Sequence, residues 1–353
     1  MSDYSRIVSA LREIAAGQMP KTDISEILHR HMCTYLLSKI PLSADLTNKV
    51  TIEKFMSRVN VNERFRACEK VFYAFEENRI PYAVIKGAVL SAAAYGDAFM
   101  RCSGDIDILI RRKDIDMAKN ILRSNGFIQG RICDGKIKEF TRRELVFQSA
   151  MSHQTAPFIK ETGGKLSPFV KADVNFDIMW GESSMKADMD FVLSHTEKTE
   201  LCGVLFQKLT PEMEFISLCL HHYKDFNSIY LIADRGMQLS HLCDILYYLR
   251  SCSPSAALLF EMCQTLGVTD YIHYCLYFTN CIFADPTVSE YLGIFDKMKA
   301  QDLTPFYGLC ESERKKWDIP FEERLFDKDF PGKFYQALSD EDKAKVKTNR
   351  DLM

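Results

Sequence analysis

The amino-acid sequence predicts an α+β protein: a mixed-sheet core with N-terminal helices before it and a helical C-terminal half after it. Three observations carry this. Apolar residues recur at helical spacing up to about residue 78, the period drops to two over short β-branched runs as far as about residue 207, and the helical period returns beyond Pro211. The expected divisions are an N-terminal helical segment over 1–78, a sheet domain over 79–207, a helical domain over 208–310 and a charged tail over 311–353.

Each element has a local reason. Ile7, Leu11, Ile14 and Ala15 lie on one helical face, as do Ile24, Ile27, Leu28, Cys33 and Leu36. The run IPYAVIKG, opened by Pro81 and closed by Gly87, predicts a strand and a tight turn, and the small-residue run AVLSAAAYG predicts a closely packed helix after it. In DIDILIRR, Ile106, Ile108 and Ile110 alternate with Asp105, Asp107 and Leu109, so a second strand carries its aspartates on one face. A helix follows over Lys113–Ser124 with Gly126 as its stop, and Asp134-Gly135 predicts a two-residue hairpin turn. Residues 144–180 read as further extended segments, notably PFVKADVNFDIMW. Helices resume with MEFISLCLHHYKDF, MQLSHLCDILYYLR and AALLFEMCQTLG. Roughly half of residues 311–353 are charged, against 26% of the chain, which predicts a solvated and partly irregular tail.

Composition excludes several classes of function. With 353 residues, 47% hydrophobic, the chain can bury a substantial core. Its net charge of -3 lacks the basic excess of a dedicated nucleic-acid or membrane-surface binder, although a local basic cleft stays open. None of the 12 cysteines forms a C-x-x-C pair, which argues against a zinc ribbon or thioredoxin-like site. Without an apolar signal-like start, or any uncharged apolar run of about 18 residues, the expectation is a cytoplasmic protein with reduced thiols and no membrane span.

Five Asp-x-Asp triplets occur: Asp105/Asp107, Asp114/Asp116, Asp188/Asp190, Asp327/Asp329 and Asp340/Asp342. Residues two apart differ by about 200° on a helix, but share a strand face about 6.5–7 Å apart. Only Asp105/Asp107 falls in a strand pattern, so only this pair is expected to grip a common ion. Paired carboxylates with substrate phosphates suit Mg²⁺, a hard cation that takes oxygen ligands. Upstream, Lys86-Gly87 ends a strand where a helix begins, a place where glycine lets backbone N–H groups approach a phosphate.

The order Lys86-Gly87, Tyr95-Gly96, Arg101 and Gly104-Asp105-Ile106-Asp107-Ile108-Leu109 resembles the signature of uncharacterised bacterial nucleotidyltransferases of the polymerase β superfamily. The resemblance extends to about residue 250. It implies transfer of a nucleoside monophosphate from an NTP to an acceptor hydroxyl, with pyrophosphate leaving and two Mg²⁺ ions at Asp105 and Asp107. The family's third carboxylate lies on a later strand, where Asp173 and Asp177 compete, about 13 Å apart if both share one strand face. Asp173 is favoured, because Asn175 is a better substitute for the family's His than Met179 is. Asp177 then takes a substrate-side position. By the same resemblance Lys86 and Gly87 cradle phosphates with Gly104 beside them, and Arg101 either neutralises developing charge or anchors its loop. Ala88 stands where the wider superfamily has Ser.

Other constellations read as structural. His221, His222 and Asp225, and His241 with Asp244, sit at helical spacing in amphipathic runs; His29, His31 and His153 are surface or cleft candidates. Cys102 has no base at recognisable spacing. The alternative to an enzyme is a catalytically silent module of the same fold that binds a nucleotide. The acceptor, whether small molecule, protein or RNA, has no signature in the sequence.

Overall fold

The computed structural model describes residues 3–181 and 183–352. The chain divides into two compact units, one formed by Ser43–Leu218 with Tyr247–Leu266, the other by Met1–Leu42, Cys219–Leu246 and Gly267–Met353.

The first unit contains an eight-stranded mixed sheet. In chain order its strands are β1 (Tyr82–Ile85), β2 (Ile106–Ile110), β3 (Ile128–Cys133), β4 (Lys136–Glu139), β5 (Phe158–Glu161), β6 (Phe169–Asn175), β7 (Thr196–Leu201) and β8 (Val204–Leu209), and in space they run β4-β3-β5-β6-β2-β1-β8-β7. The α+β expectation with a mixed sheet holds. β2 pairs antiparallel with β1 and parallel with β6. Asp134 and Gly135 both take positive φ, 50° and 70°, in the β3–β4 hairpin. That is the conformation the Asp-Gly dipeptide predicts for a two-residue turn.

One face of the sheet is covered by the helix Ala44–Glu77, whose start is capped by Ser43 accepting from the Leu46 amide at 3.3 Å. The helix buries a stripe at helical spacing: Val61, Phe65, Cys68, Val71, Phe72 and Phe75. These meet Ile106, Ile108, Ile110, Ala172 and Val174 in one core. Phe72 stacks on Tyr82 at 5.6 Å, and Phe65 packs on Phe206 at 5.1 Å. Each such ring contributes about 1.5–3 kcal/mol by leaving water. Because the even-numbered residues of β2 and β6 serve this core, the odd-numbered ones, including Asp105, Asp107 and Asp173, share the opposite face.

Two segments differ from the sequence expectation. Residues 142–151 form a helix within a stretch expected to be extended. Thr141 and Glu144 close a capping box at its start, with the Glu144 carboxylate accepting from the Thr141 amide at 2.7 Å. The charged tail is helical over Phe321–Phe326, Phe330–Ala337 and Asp340–Leu352. Its sparse apolar residues Phe330, Phe334, Leu338 and Val346 pack on Ile229, Ile232 and Ala233 in the second unit. A high charge density on the outer faces left this inner stripe inconspicuous. In the same unit, Arg12 donates to the carbonyls of Ile282 and Cys281, tying the first helix to the helix Thr269–Phe283.

Candidate active site

β1 delivers Lys86 to the end of the strand in an unusual backbone conformation, φ 58° and ψ -152°. This region is nearly reserved for glycine and costs about 1–3 kcal/mol for other residues, so the surrounding packing must hold it. Gly87 follows at φ 46° and opens the helix Gly87–Tyr95. A Cβ at Gly87 would come within 3.2 Å of Ser103 Oγ, so the turn lies close against the loop that leads into β2.

The parallel register of β2 and β6 places Asp107 directly opposite Asp173. Asp105 precedes Asp107 by two residues on the same face, and Lys171 precedes Asp173 likewise. The contacts follow from this alignment. Lys171 Nζ lies 3.4 Å from Asp105 Oδ2 and 2.9 Å from Asp173 Oδ2. Lys86 Nζ stands 3.6 Å from Asp107 Oδ1, and Asn175 Nδ2 donates to that same oxygen at 3.0 Å. Asp173 Oδ1 is buried without a hydrogen-bond partner.

Electrostatics separate the three carboxylates. The Asp173 side chain is 6% exposed, against 29% for Asp105 and 13% for Asp107. Burial pushes the Asp173 carboxyl up to about 6; Lys171 opposes this, while the charges of Asp105 and Asp107 add to it. Burial pulls Lys171 the other way, towards the neutral amine, but the paired Asp173 and Asp105 outweigh it and hold the ammonium above its ordinary range.

Sequence reasoning missed both Lys171 and Arg64. Arg64 projects from the helix Ala44–Glu77 and is buried. Its Nη1 donates to Ser103 Oγ at 2.8 Å and to the Asp105 carbonyl at 3.3 Å, and its Nη2 donates to the Ser103 carbonyl. Burial lowers the Arg64 pKa, partly offset by Asp105. A cavity between this helix and the β1 turn is lined by Arg64, Lys86, Gly87, Ser103 and Asp105. The available signal was a charged residue inside an apolar helical stripe, between Val61 and Cys68.

The remaining predicted residues fall around this centre. Arg101 stands in the loop before β2, where its amide donates to Ser91 Oγ at 3.1 Å and Ser91 in turn donates to the Asp97 carbonyl. Gly104 adjoins Asp105, and a Cβ there would meet nothing within 4 Å. Asp177 lies beyond the end of β6, so it does not share a strand face with Asp173. Its Oδ1 accepts from the amides of Met179 and Ala187, at 2.9 and 3.3 Å, and shapes the following loop. Of Asp173 and Asp177, the structure brings only Asp173 against Asp105 and Asp107. Among the described residues no group of three or more His, Cys, Asp or Glu side chains stands ready to hold a metal ion. The carboxylate oxygens are instead turned to Lys171, Asn175 and Lys86.

A sequence model described as an uncharacterised nucleotidyltransferase matches residues 22–284, most of the chain and all of this cluster. The chain belongs to the uncharacterised nucleotidyltransferase family. Membership supports nucleotidyl transfer in general. Among solved structures, the chain is similar to an antigenic nucleotidyltransferase-like protein from Paracoccidioides brasiliensis, at 16% identity over 65% of this chain and 92% of that one, with a TM-score of 0.37. No curated protein matches it. No helix among the described residues is long and apolar enough to cross a membrane.

The histidines of its second unit form a separate polar network. His222 Nε2 lies 3.3 Å from Asp244 Oδ2, and its ring stacks on that of His241 at 4.2 Å. His241 and His221 approach Asp225 at 3.6 and 3.8 Å, and Arg235 pairs with the same carboxylate. Burial raises the Asp225 carboxyl, but Lys224, His241 and Arg235 outweigh it and leave it lowered. This network joins helices by ion pairing.

Proposed function

We propose that the protein transfers a nucleoside monophosphate from an NTP to an acceptor hydroxyl with the help of Mg²⁺ ions held by Asp105, Asp107 and Asp173. The observation that carries this is the register of β2 and β6, which sets Asp173 beside Asp107 on the face that carries Asp105, next to the Lys86-Gly87 turn. In chemistry the donor set suits a hard divalent cation, provided its oxygens turn from Lys171, Asn175 and Lys86: three carboxylates lie on one face, and one buried oxygen, Asp173 Oδ1, has no hydrogen-bond partner. When bound, such ions neutralise charge on the transferred phosphoryl group and lower the pKa of the attacking hydroxyl.

The chain's own residues supply the rest. Lys86 and the unpaired N–H groups at the start of the helix Gly87–Tyr95 receive the phosphates, because a helix N-terminus is partially positive. No hydroxyl is available at Ala88, so that task falls on backbone N–H groups and the lysine. The bond from the acceptor oxygen to the α-phosphorus forms as the bond to pyrophosphate breaks. The hydroxyl proton passes to Asp173, the carboxylate nearest the acceptor in this reading. Arg64 holds the Ser103–Asp105 backbone so that Asp105 keeps its place. A cytoplasmic setting, where free NTPs are at hand, belongs to this reading.

The test is pyrophosphate release from each NTP with Mg²⁺ and fractionated cell extract as the source of acceptor. Asp105→Asn and Asp107→Asn are expected to lose at least about 100-fold in turnover. Turnover unchanged in either variant overturns the assignment.

A further inference from the structure

We propose that Lys171 is the resting cation of the acidic cluster, an ammonium that any divalent ion bridging Asp105 and Asp173 must displace; this rests on reading the carboxylates as a metal site. The strand register makes the arrangement specific. Ile106 pairs with Ala172 and Asp107 with Asp173, so Lys171 comes alongside Asp105 on the adjacent strand while sharing a face with Asp173. Its ammonium therefore sits between two carboxylates, at 2.9 and 3.4 Å.

Three carboxylates on one face repel one another unless a cation lies between them. Lys171 supplies that cation from within the chain and keeps the cluster assembled without an ion. It serves the cluster incompletely: it engages Asp173 Oδ2 and leaves the buried Oδ1 without a partner. The lysine side chain is 37% exposed, so a path out of the cluster is open to it. Once displaced, the ammonium needs a new anion, and an incoming triphosphate at the Lys86-Gly87 turn offers one.

Two consequences follow. A divalent ion alone binds weakly, because it competes with a tethered charge. Ion and NTP then bind with positive coupling, and by linkage each strengthens the other to the same degree. Lys171 thus acts on the reaction through the ions it admits, as a positioning residue.

The experiment titrates Mn²⁺ into nucleotide-free protein, followed by electron paramagnetic resonance of the free ion. Lys171→Met is expected to bind Mn²⁺ about tenfold tighter than the unaltered chain, since one charge-assisted competitor has gone. Adding Asp105→Asn to that variant is expected to abolish the gain. Equal Mn²⁺ affinities with and without Lys171 overturn this inference and leave the metal-site reading standing. No Mn²⁺ binding by either protein overturns both. A second measurement uses the unaltered chain and does not depend on the variant folding: labelling of amines by an N-hydroxysuccinimide ester, read by mass spectrometry. Mg²⁺ with ATP is expected to change the labelling of Lys171 relative to K⁺ at equal ionic strength, and an unchanged rate overturns the proposal.

Discussion

Asp173 occupies a demanding position, because its charge is buried beside two other carboxylates, with Lys171 as the cation in contact with it. Its carboxyl is raised to about 6 in the folded protein and returns to the ordinary range near 3.8 when unfolded. Between these values the folded state holds the extra proton, so the stability Asp173 contributes is fully present below about pH 4 and is lost as pH rises through 6. In chelator, Asp173→Asn is therefore expected to raise the melting temperature at pH 8, with the advantage shrinking as pH falls towards 4. A constant difference across that range in thermal unfolding would refute the assigned shift. Asp173 was legible as a candidate, in competition with Asp177, through the resemblance of Asp173-Val174-Asn175-Phe176 to the family's third-carboxylate strand. Lys171 was not singled out in the sequence, because its neighbour Asp105 lies on the adjacent strand and only the β2–β6 register brings the two together.

At the scale of elements, the site depends on a helix that contributes no carboxylate to it. The helix Ala44–Glu77 packs a stripe of Phe, Val and Cys on the sheet and uses the same face to aim Arg64 at the Ser103–Asp105 loop. Arg64→Met keeps the apolar stem and removes the fork that holds the loop. It leaves the Ser103 carbonyl short of a partner, a cost of about 1–3 kcal/mol. Turnover is expected to fall more than about tenfold, and trypsin is expected to cut after Arg101 faster than in the unaltered chain. Arg64→Lys is expected to restore little, since a single ammonium cannot span Ser103 Oγ and two carbonyls. Equal proteolysis rates would show that Arg64 does not hold the loop. The strand, turn and helix from Tyr82 to Tyr95 were readable because each depends on residues adjacent in sequence. Arg64 was not, since its partners lie 39 and 41 residues away. The helix Arg142–Met151 was overlooked for another reason: its start signal, Thr141 with Glu144, is local, but its own sequence has a weak apolar pattern.

For the whole molecule, the net charge of -3 lacks the basic excess of a dedicated polyanion binder, and the proposed reaction requires an NTP to bind the folded chain. A ligand that binds only the folded state at a hundred times its Kd stabilises by about 2.7 kcal/mol. An NTP together with Mg²⁺ is accordingly expected to raise the melting temperature by several degrees, and either alone by much less. Stabilisation by an NTP that is indifferent to Mg²⁺, without pyrophosphate release, would identify a silent nucleotide-binding module in place of an enzyme.

The sequence by itself determined the class of fold, the strand-turn-helix-strand order around Lys86 and Asp107, and which of five acidic pairs lies on a strand. These rest on local periodicity and turn chemistry, which a linear reading contains in full. Only the tertiary structure decided that β6 pairs parallel with β2, that Asp173 rather than Asp177 meets Asp107, and that Lys171 fills the space between Asp105 and Asp173. Parallel strand pairing joins residues 66 apart through backbone hydrogen bonds that carry no side-chain signature. Its register follows from how the whole apolar face of the sheet meets the long helix, and no single stretch of sequence records that.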